Sequence, residues 1–202
     1  MGSRPFGTCR ARQDVGSGHW GPKEACHHDR MAVDDPGVTI RAASPADDEA
    51  VVRLVASYVA EANPRLLART GWTIVPTGTE EVRRWVDVSR AECASILLAL
   101  HGGSAIGTGT LRQLEPGIGE VKRMYVEPSH RHRGVGAAPL DRLLEEGRRR
   151  DMALVRLDSA AFQERAHALY RDRGFTERGP YGGSETPPEL IDTWHFFELA
   201  LT

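Results

Sequence analysis

The sequence predicts a mixed α/β domain over residues 37–202, preceded by a disordered extension over residues 1–36. Two patterns carry this prediction. In the first half of the domain, apolar segments are joined by short turns such as Gly102-Gly103, which is typical of antiparallel strands. In the second half, a strand, a glycine-containing loop, a helix and another strand follow in order, which indicates a parallel βαβ unit. The two halves together predict one central sheet of mixed, mostly antiparallel strands flanked by helices.

The extension over residues 1–36 differs in composition from the rest of the chain. It is rich in Gly, Pro, His and Arg and shows neither helical nor alternating apolar spacing. Such a segment cannot bury enough apolar surface to offset the conformational entropy lost on ordering, so we predict that it is disordered. Met31 is an alternative start of the protein. The Cys and His residues of this segment match no zinc-finger spacing, and we predict no metal site.

The domain is predicted to open with one strand, at 38–44, and two helices. Ser44-Pro45 supplies an N-cap and a first-turn proline for the first helix. Asn63-Pro64 is predicted to end that helix, because a proline cannot donate the backbone hydrogen bond that the helix needs. Residues 65–77 are then predicted to be a loop, and a second helix is predicted to begin near Thr79.

The remaining elements follow from alternation, helical spacing and turn residues. Strands are predicted at 95–101, 105–114 and 118–127, then a helix that passes through Leu140 and ends near Arg150, a strand at 153–159, a helix at 163–173, and closing strands at 175–179 and 194–202. Gly174 follows the second of these helices, where a glycine favours the left-handed conformation that ends helices. The strands at 118–127 and 153–159 enclose a helix and are therefore expected to be parallel neighbours.

The composition excludes several classes of protein. The 202-residue chain has a formal net charge of −2, which gives no overall attraction to nucleic acid or to a membrane surface. Its arginines are interspersed with acidic residues, as where Glu145 and Glu146 precede 148–150, which is typical of a solvated helix face. No apolar run approaches the roughly 18 residues of a membrane span, and the 3 cysteines are too scattered for a disulfide framework. We therefore predict a cytoplasmic protein with no nucleic-acid or membrane partner.

The segment from Arg131 to Gly136 predicts an anion site. A strand ends, the residues RHRGVG follow, and a helix begins at once, so that backbone N–H groups and the helix dipole point at one place. Gly134 and Gly136 lack a Cβ and allow a phosphate to approach the backbone closely. The loop lacks the Gly-Lys-Ser/Thr of a Walker loop, and Pro139 stands where the dinucleotide fingerprint has its third glycine. A diphosphate of another kind is therefore expected.

Two motifs resemble those of the GNAT N-acetyltransferase superfamily. Arg131-x-x-Gly134-x-Gly136, preceded by MYVEP, is similar to the superfamily's coenzyme A loop, whose pattern is Gln/Arg-x-x-Gly-x-Gly/Ala. ERAHALYRDRGF, at 164–175, resembles its A-x-x-L-Y-x-x-x-G-F helix and strand. The resemblance implies a three-layer fold with about six or seven strands. It also implies acetyl-CoA as co-substrate and direct transfer of the acetyl group to a primary amine of a small molecule, by a monomer or homodimer.

The resemblance implies how the cofactor is held. The strand at 120–127 splays from its parallel neighbour, and its backbone pairs with the pantetheine arm as an added strand would. Amides between Arg131 and Ala137 hold the pyrophosphate. Gln163 stands where the superfamily often has an asparagine that contacts the arm. The residues expected to contact the cofactor are Met124, Tyr125, Val126, Arg131, His132, Arg133, Gly134, Val135, Gly136, Ala137, Gln163 and Tyr170.

Two residues are candidates for acid–base catalysis. Acyl transfer to an amine needs a neutral nitrogen and a protonated leaving thiol. Glu120 begins the strand that borders the thioester and is the candidate base, acting through water. Tyr170 is placed by the resemblance near the sulfur, where its hydroxyl can protonate the departing thiolate. The alternatives are an exposed strand glutamate paired with an arginine for Glu120, and a core aromatic for Tyr170.

Other reactive or aromatic side chains are expected to have structural roles. His130 and His132 are interpreted as solvated donors in the loop, and His167 as partly exposed. The other such residues are Cys93 as a helix-end core residue, Trp72, Trp85 and Trp194 as core or pocket walls, and Arg65 and Arg69 as members of a solvated loop. Alternatives to a small-molecule acetyltransferase also stay open: a non-catalytic acyl-CoA sensor, a protein or peptide N-acetyltransferase, and a nucleic-acid-binding protein.

Overall fold

One twisted sheet forms the centre of the protein. The computed structural model describes residues 37–73 and 78–201, so the predicted disorder of residues 1–36 lies outside the described residues. The strands of the described part are β1 Val38–Ala42, β2 Ser95–His101, β3 Ser104–Glu115, β4 Ile118–Val126, β5 Leu154–Ala160, β6 Thr176–Arg178 and β7 Trp194–Ala200. The helices are α1 Asp48–Thr70, α2 Thr79–Ala91, α3 Ala137–Arg149 and α4 Glu164–Asp172.

The strand order is β1-β2-β3-β4-β5-β7-β6. Every neighbouring pair is antiparallel except β4 and β5, which are parallel and are connected through α3. This arrangement confirms the predicted mixed, mostly antiparallel sheet with one βαβ unit. The Gly102-Gly103 turn has positive φ at both residues, +56° and +82°, as a tight hairpin turn requires.

Helices cover both faces of the sheet and complete three layers. On one face, Leu54 of α1 and Val82 of α2 pack with Ile96 of β2. On the other face, Leu140 of α3 and Tyr170 of α4 share a cluster of buried residues. Burial of these apolar faces stabilises the layers, each fully buried Leu or Val contributing roughly 1.5–3 kcal/mol. None of the helices in the described ranges combines the length and apolarity needed to cross a membrane.

β4 separates from β5 soon after the two strands begin. Their backbone pairing covers only Ile118 to Glu120 on the β4 side. Further along, β4 carries a bulge against β3, where Arg123 adopts a φ of +53°. Gly109 on β3 faces the bulge, and a Cβ at this position would lie 2.5 Å from Met124 Sδ. Because the pairing ends early, the sheet opens between β4 and β5. The bulge changes the direction in which the side chains of β4 after Arg123 point.

The prediction that Asn63-Pro64 ends the first helix is wrong. α1 continues through Pro64 to Thr70 and ends at Gly71, whose φ is +75° and whose N–H donates to the Leu67 carbonyl. The missing proline N–H removes one backbone bond, but the helix on both sides of it is held by buried apolar side chains such as Leu66. The residues expected in a loop, Arg65 and Arg69, therefore lie on the last turns of α1.

Two further expectations about burial are wrong. His167 was expected to be partly exposed, and it is buried between α4 and the sheet with 3% of its surface accessible. Cys93 was expected to be a core residue and is exposed, in a left-handed conformation just after α2. For His167 the helix was predicted correctly but the face toward the core was not, because packing partners from other elements decide it. Cys93 lies beyond the end of α2, in the turn that leads to β2.

Candidate active site

The separation of β4 and β5 opens a cleft of about 580 Å³. The cleft lies between α1 and the start of α4, with the edge of β4 exposed along its length. Of the residues predicted to contact a cofactor, those that line it are Met124, Tyr125, Val126, Arg131, Gln163 and Tyr170. The others, His132, Arg133, Gly134, Val135, Gly136 and Ala137, form the loop that continues from Arg131 and the start of α3.

The loop before α3 has the backbone geometry of an anion-binding nest. His132 and Gly134 have positive φ, +68° and +72°, whereas Arg133 and Val135 do not. Alternation of left- and right-handed residues turns successive N–H groups toward one side and makes a concave site for anions. The first turn of α3 follows at Ala137 and adds the positive end of the helix dipole.

The side chain of Arg131 is engaged within the cleft and not with the nest. Its guanidinium makes a bidentate ion pair with Glu61 of α1, at 2.7 and 2.6 Å, and its Nε donates to the Val126 carbonyl at 2.8 Å. The hydrogen bonds from Arg131 hold the pKa of the Glu61 carboxyl below its usual value. His132 contacts the guanidinium of Arg165 on the opposite side. These contacts tie α1, the loop and α4 together around the cleft.

Tyr170 lies at the inner end of the cleft. Its ring packs against Phe175 and Phe197, and only 6% of its surface is accessible. Burial raises the pKa of the Tyr170 hydroxyl far above its ordinary value, with smaller contributions from nearby Tyr58 and Asp158. The hydroxyl is therefore protonated at neutral pH.

A second cavity, of about 470 Å³, lies beside the first. Its walls are apolar and aromatic and come from α1 and the segment before β7, including Val59, Leu66, Trp72, Leu190 and Trp194. Its charged side chains are Lys122, Arg123, Asp158 and Glu185. Tyr58 of α1 lines both cavities and marks the place where they meet. We call this second space the acceptor cavity.

Lys122 and Asp158 form the polar floor of the acceptor cavity. Lys122 Nζ lies 3.0 Å from Asp158 Oδ2, and the same carboxylate accepts hydrogen bonds from Ser184 Oγ at 2.9 Å and Trp194 Nε1 at 3.3 Å. Burial lowers the pKa of Lys122, but the charges of Asp158, Glu120 and Glu185 outweigh this effect and raise it overall. The Lys122 side chain is therefore an ammonium at neutral pH, surrounded by carboxylates.

Glu120, the predicted base, is completely buried. Its Oε2 accepts from Arg112 Nε at 2.6 Å, and its Oε1 accepts from the Tyr181 hydroxyl at 2.8 Å. Lys122 Nζ lies 3.5 Å from Oε1 and separates Glu120 from Asp158. Glu120 is not among the residues that line either cavity in the described part of the chain. The alternative prediction was an exposed glutamate paired with an arginine. The arginine partner is confirmed, but the exposure of Glu120 is wrong.

Sequence reasoning missed two residues that line the acceptor cavity. Asp158 is the single acid in the strand segment ALVRLDS, and this was the available signal. Tyr58 was included among the apolar residues of the first helix, and nothing in its spacing distinguished it from a core residue. Both are identified only when the splayed strands and α1 are brought together.

A hydrogen-bonded chain fixes the orientation of Gln163. Ser159 Oγ donates to Gln163 Oε1 at 2.6 Å, and His167 Nε2 lies 3.2 Å from the same hydroxyl. A hydrogen bond also joins Gln163 to the Tyr58 hydroxyl. Burial lowers the pKa of His167, so its ring is neutral at pH 7. His167 therefore acts here as a structural partner of Ser159, away from both cavities.

Comparisons with known proteins identify one family. The family model described as the acetyltransferase (GNAT) family matches residues 57–175, which is more than half of the chain and includes the loop and Tyr170. A protein from Azospirillum brasilense named IAA acetyltransferase is 33% identical over 156 residues, which cover 73% of this chain and 90% of that protein.

Solved structures share the fold at low sequence identity. An acetyltransferase of the GNAT family from Staphylococcus aureus aligns with a TM-score of 0.65 at 16% identity, over 82% of this chain and 99% of that one. The structure of yncA from Salmonella typhimurium with its cofactor acetyl-CoA aligns with a TM-score of 0.62 at 22% identity, over 82% of this chain and 95% of that one.

Proposed function

Because the chain belongs to the acetyltransferase (GNAT) family, we propose that it transfers the acetyl group of acetyl-CoA to a primary amine of a small molecule. The observation that carries the proposal is the meeting of two cavities at Tyr58, one beside an anion-binding loop and the other lined by apolar and charged side chains. A reaction that joins two substrates directly needs two such sites in contact.

The residues of the first cavity fit coenzyme A. The nest at His132 to Val135 and the start of α3 supply backbone donors for a diphosphate. The edge of β4 from Met124 to Val126, which has no partner strand on the β5 side, offers backbone groups to the pantetheine arm. Gln163, oriented by Ser159, faces the same cleft. When bound, acetyl-CoA supplies an activated thioester.

The amine must lose its proton before it attacks. Asp158 lines the acceptor cavity and is our first candidate for the base, directly or through one water. Lys122, a cation at the same place, would lower the pKa of a bound ammonium and so favour the neutral amine. Glu120, the base expected from the sequence, would have to accept the proton through water, because Lys122 lies between it and Asp158.

The leaving thiolate must gain a proton. Tyr170 lies in the cleft, and its hydroxyl is protonated at neutral pH. We propose that its hydroxyl donates this proton. The N-acetylated amine and free coenzyme A are then the products. The low cysteine content agrees with a reducing compartment, and we propose the cytoplasm as the site of the reaction.

The test is release of free thiol from acetyl-CoA against a panel of amines, peptides and IAA, with calorimetry of coenzyme A binding. Saturable binding together with amine-dependent thiol release is expected. Binding without turnover on any member of the panel would favour a sensor, and transfer only to peptide N-termini would favour a protein acetyltransferase. Well-folded protein that takes up no coenzyme A would overturn the proposal.

A further inference from the structure

Glu185 places its carboxylate among three cations, of which Lys122 and Arg123 line the acceptor cavity and Arg112 lies behind them. Its oxygens lie 3.2 Å from Arg123, 3.7 Å from Lys122 and 3.7 Å from Arg112. Arg123 and Lys122 are largely buried, with 14% and 8% of their side chains accessible, whereas the Glu185 side chain is 45% accessible. An exposed carboxylate thus reaches into a site built by buried cations.

The backbone around Glu185 is fixed by contacts that do not involve its side chain. Ser184 Oγ donates to Asp158, and the Thr186 N–H donates to Ser184 Oγ at 3.2 Å. On the other side, Arg112 donates to the Gly183 carbonyl at 3.0 Å. The Glu185 side chain can therefore rotate into solvent while the segment that carries it stays in place.

Without Glu185, the charges at this site do not balance. Arg112, Lys122 and Arg123 contribute +3, and the remaining acids, Glu120 and Asp158, contribute −2, which leaves +1. A partly buried, uncompensated cation is unfavourable, so the site favours an anionic group wherever one is available. A carboxylate is the group that forms two hydrogen bonds with a guanidinium and also pairs with an ammonium.

We propose that Arg112, Lys122 and Arg123 form a carboxylate subsite for the acceptor, which Glu185 occupies when the acceptor is absent. The acceptor is then an α-amino acid with a large apolar side chain. Its carboxylate takes the place of Glu185, its amino group lies toward Asp158, and its side chain packs against the apolar wall that includes Val59, Trp72 and Leu190. This inference rests on the proposed acetyl transfer and names the class of amine.

The reaction balances with these substrates. The amino nitrogen forms a bond with the acetyl carbon while the bond between that carbon and sulfur breaks. The amino proton passes to the carboxylate base, and the thiolate takes a proton from Tyr170. An N-acetyl amino acid and free coenzyme A result, and no oxidant, reductant or metal is required.

The test is calorimetry on the full-length protein saturated with free coenzyme A, which cannot react. L-tryptophan is compared with tryptamine, and L-phenylalanine with 2-phenylethylamine, because each pair differs only by the carboxylate. We expect the amino acids to bind about tenfold more tightly than their amines, as a charge-assisted hydrogen bond predicts. Glu185→Ala, which removes the internal competitor, should tighten amino-acid binding about threefold or more and leave amine binding no tighter.

Glu189→Ala is the matched control, since Glu189 is an exposed acid in the same segment and is not among the residues that line the cavity. It should leave all four dissociation constants unchanged. The carboxylate subsite would be overturned by any one of three results. These are amines that bind as tightly as the amino acids or more tightly, amino acids that do not bind, and a Glu185→Ala variant that binds amino acids more weakly than the wild type. None of these results bears on the proposed acetyl transfer. That proposal would be overturned separately if acetyl-CoA released no thiol with any amine of the wider panel.

Discussion

Lys122 and Asp158 form a 3.0 Å ion pair between β4 and β5 just beyond the point where the two strands stop pairing. The last backbone pair is Glu120 with Arg156, and Lys122 and Asp158 each lie two positions further along. Side chains therefore join the two strands where their backbones have already separated. The same ion pair forms the floor of the acceptor cavity, so it links the stability of the splayed sheet to the chemistry of the site.

The first prediction concerns this ion pair. Lys122→Met should lower the free energy of unfolding by about 3–5 kcal/mol, because it leaves Asp158 and Glu120 with one cation fewer in a buried place. The double variant Lys122→Met with Asp158→Asn should lose clearly less than the sum of the two single changes. Urea denaturation of the four proteins measures both quantities, and additive losses would mean that the two residues are not coupled.

The second prediction concerns the acid. Tyr170→Phe should lower kcat about 10²-fold, because it removes a positioned proton donor and little volume. The dissociation constant for coenzyme A should change little, since the ring and its packing remain. The raised pKa of Tyr170 keeps it protonated well above neutral pH, so wild-type kcat should show no loss from this group between pH 7 and 9. Unchanged turnover in the variant would remove Tyr170 from the mechanism.

The third prediction distinguishes whether Asp158 or Glu120 is the catalytic base. Asp158→Asn should lower kcat/KM about 10²-fold at pH 7 and recover part of the loss at pH 9, where more of the free amine is already neutral. Glu120→Gln should reduce the free energy of unfolding more than it reduces kcat/KM measured on the folded protein. If folded Glu120→Gln instead shows the larger, pH-rescued loss, the base is Glu120 and not Asp158.

The fourth prediction is a pH dependence from Glu61. Arg131 holds the pKa of Glu61 below its unfolded value of about 4.3, so the folded protein binds fewer protons than the unfolded chain in this range. The stabilisation is full above that pH and is lost as the pH falls through the lower folded pKa. Glu61→Gln should therefore cost about 0.5 kcal/mol at pH 7 and progressively less as the pH falls below the unfolded pKa, measured by chemical denaturation. A cost that stays the same as the pH falls would contradict the ion-pair explanation.

The fifth prediction concerns the bulge in β4. Gly107→Ala should destabilise the protein by about 1–3 kcal/mol, because the added Cβ would lie 2.9 Å from the backbone carbonyl oxygen of Tyr125, which follows the bulge. Gly179→Ala, where a Cβ would meet nothing within 4 Å, should change the free energy of unfolding little. Thermal unfolding of the two variants makes the comparison, and equal midpoints would show that β4 adjusts freely.

Local signals were enough for most of the secondary structure. The Gly102-Gly103 turn, the glycines of the loop before α3 and the stop at Gly174 each act through backbone conformation, which neighbouring residues determine. Pro64 was the exception, since its local effect was overcome by the packing of α1 on the sheet. Burial of His167 was missed for the same reason, because His195 and Phe197 of β7, which pack against its ring, are distant in sequence.

The sequence by itself determined the order of elements, the mixed sheet and the glycine-containing loop before α3, because periodicity, turn chemistry and a contiguous motif are local properties. Only the tertiary structure decided that Tyr58 lies where the two cavities meet, that Asp158 lies beside Lys122, and that Glu185 reaches three cations. These side chains come from segments far apart in the chain, and their contacts exist only once β4 and β5 have separated and α1 and the segment before β7 have packed beside them.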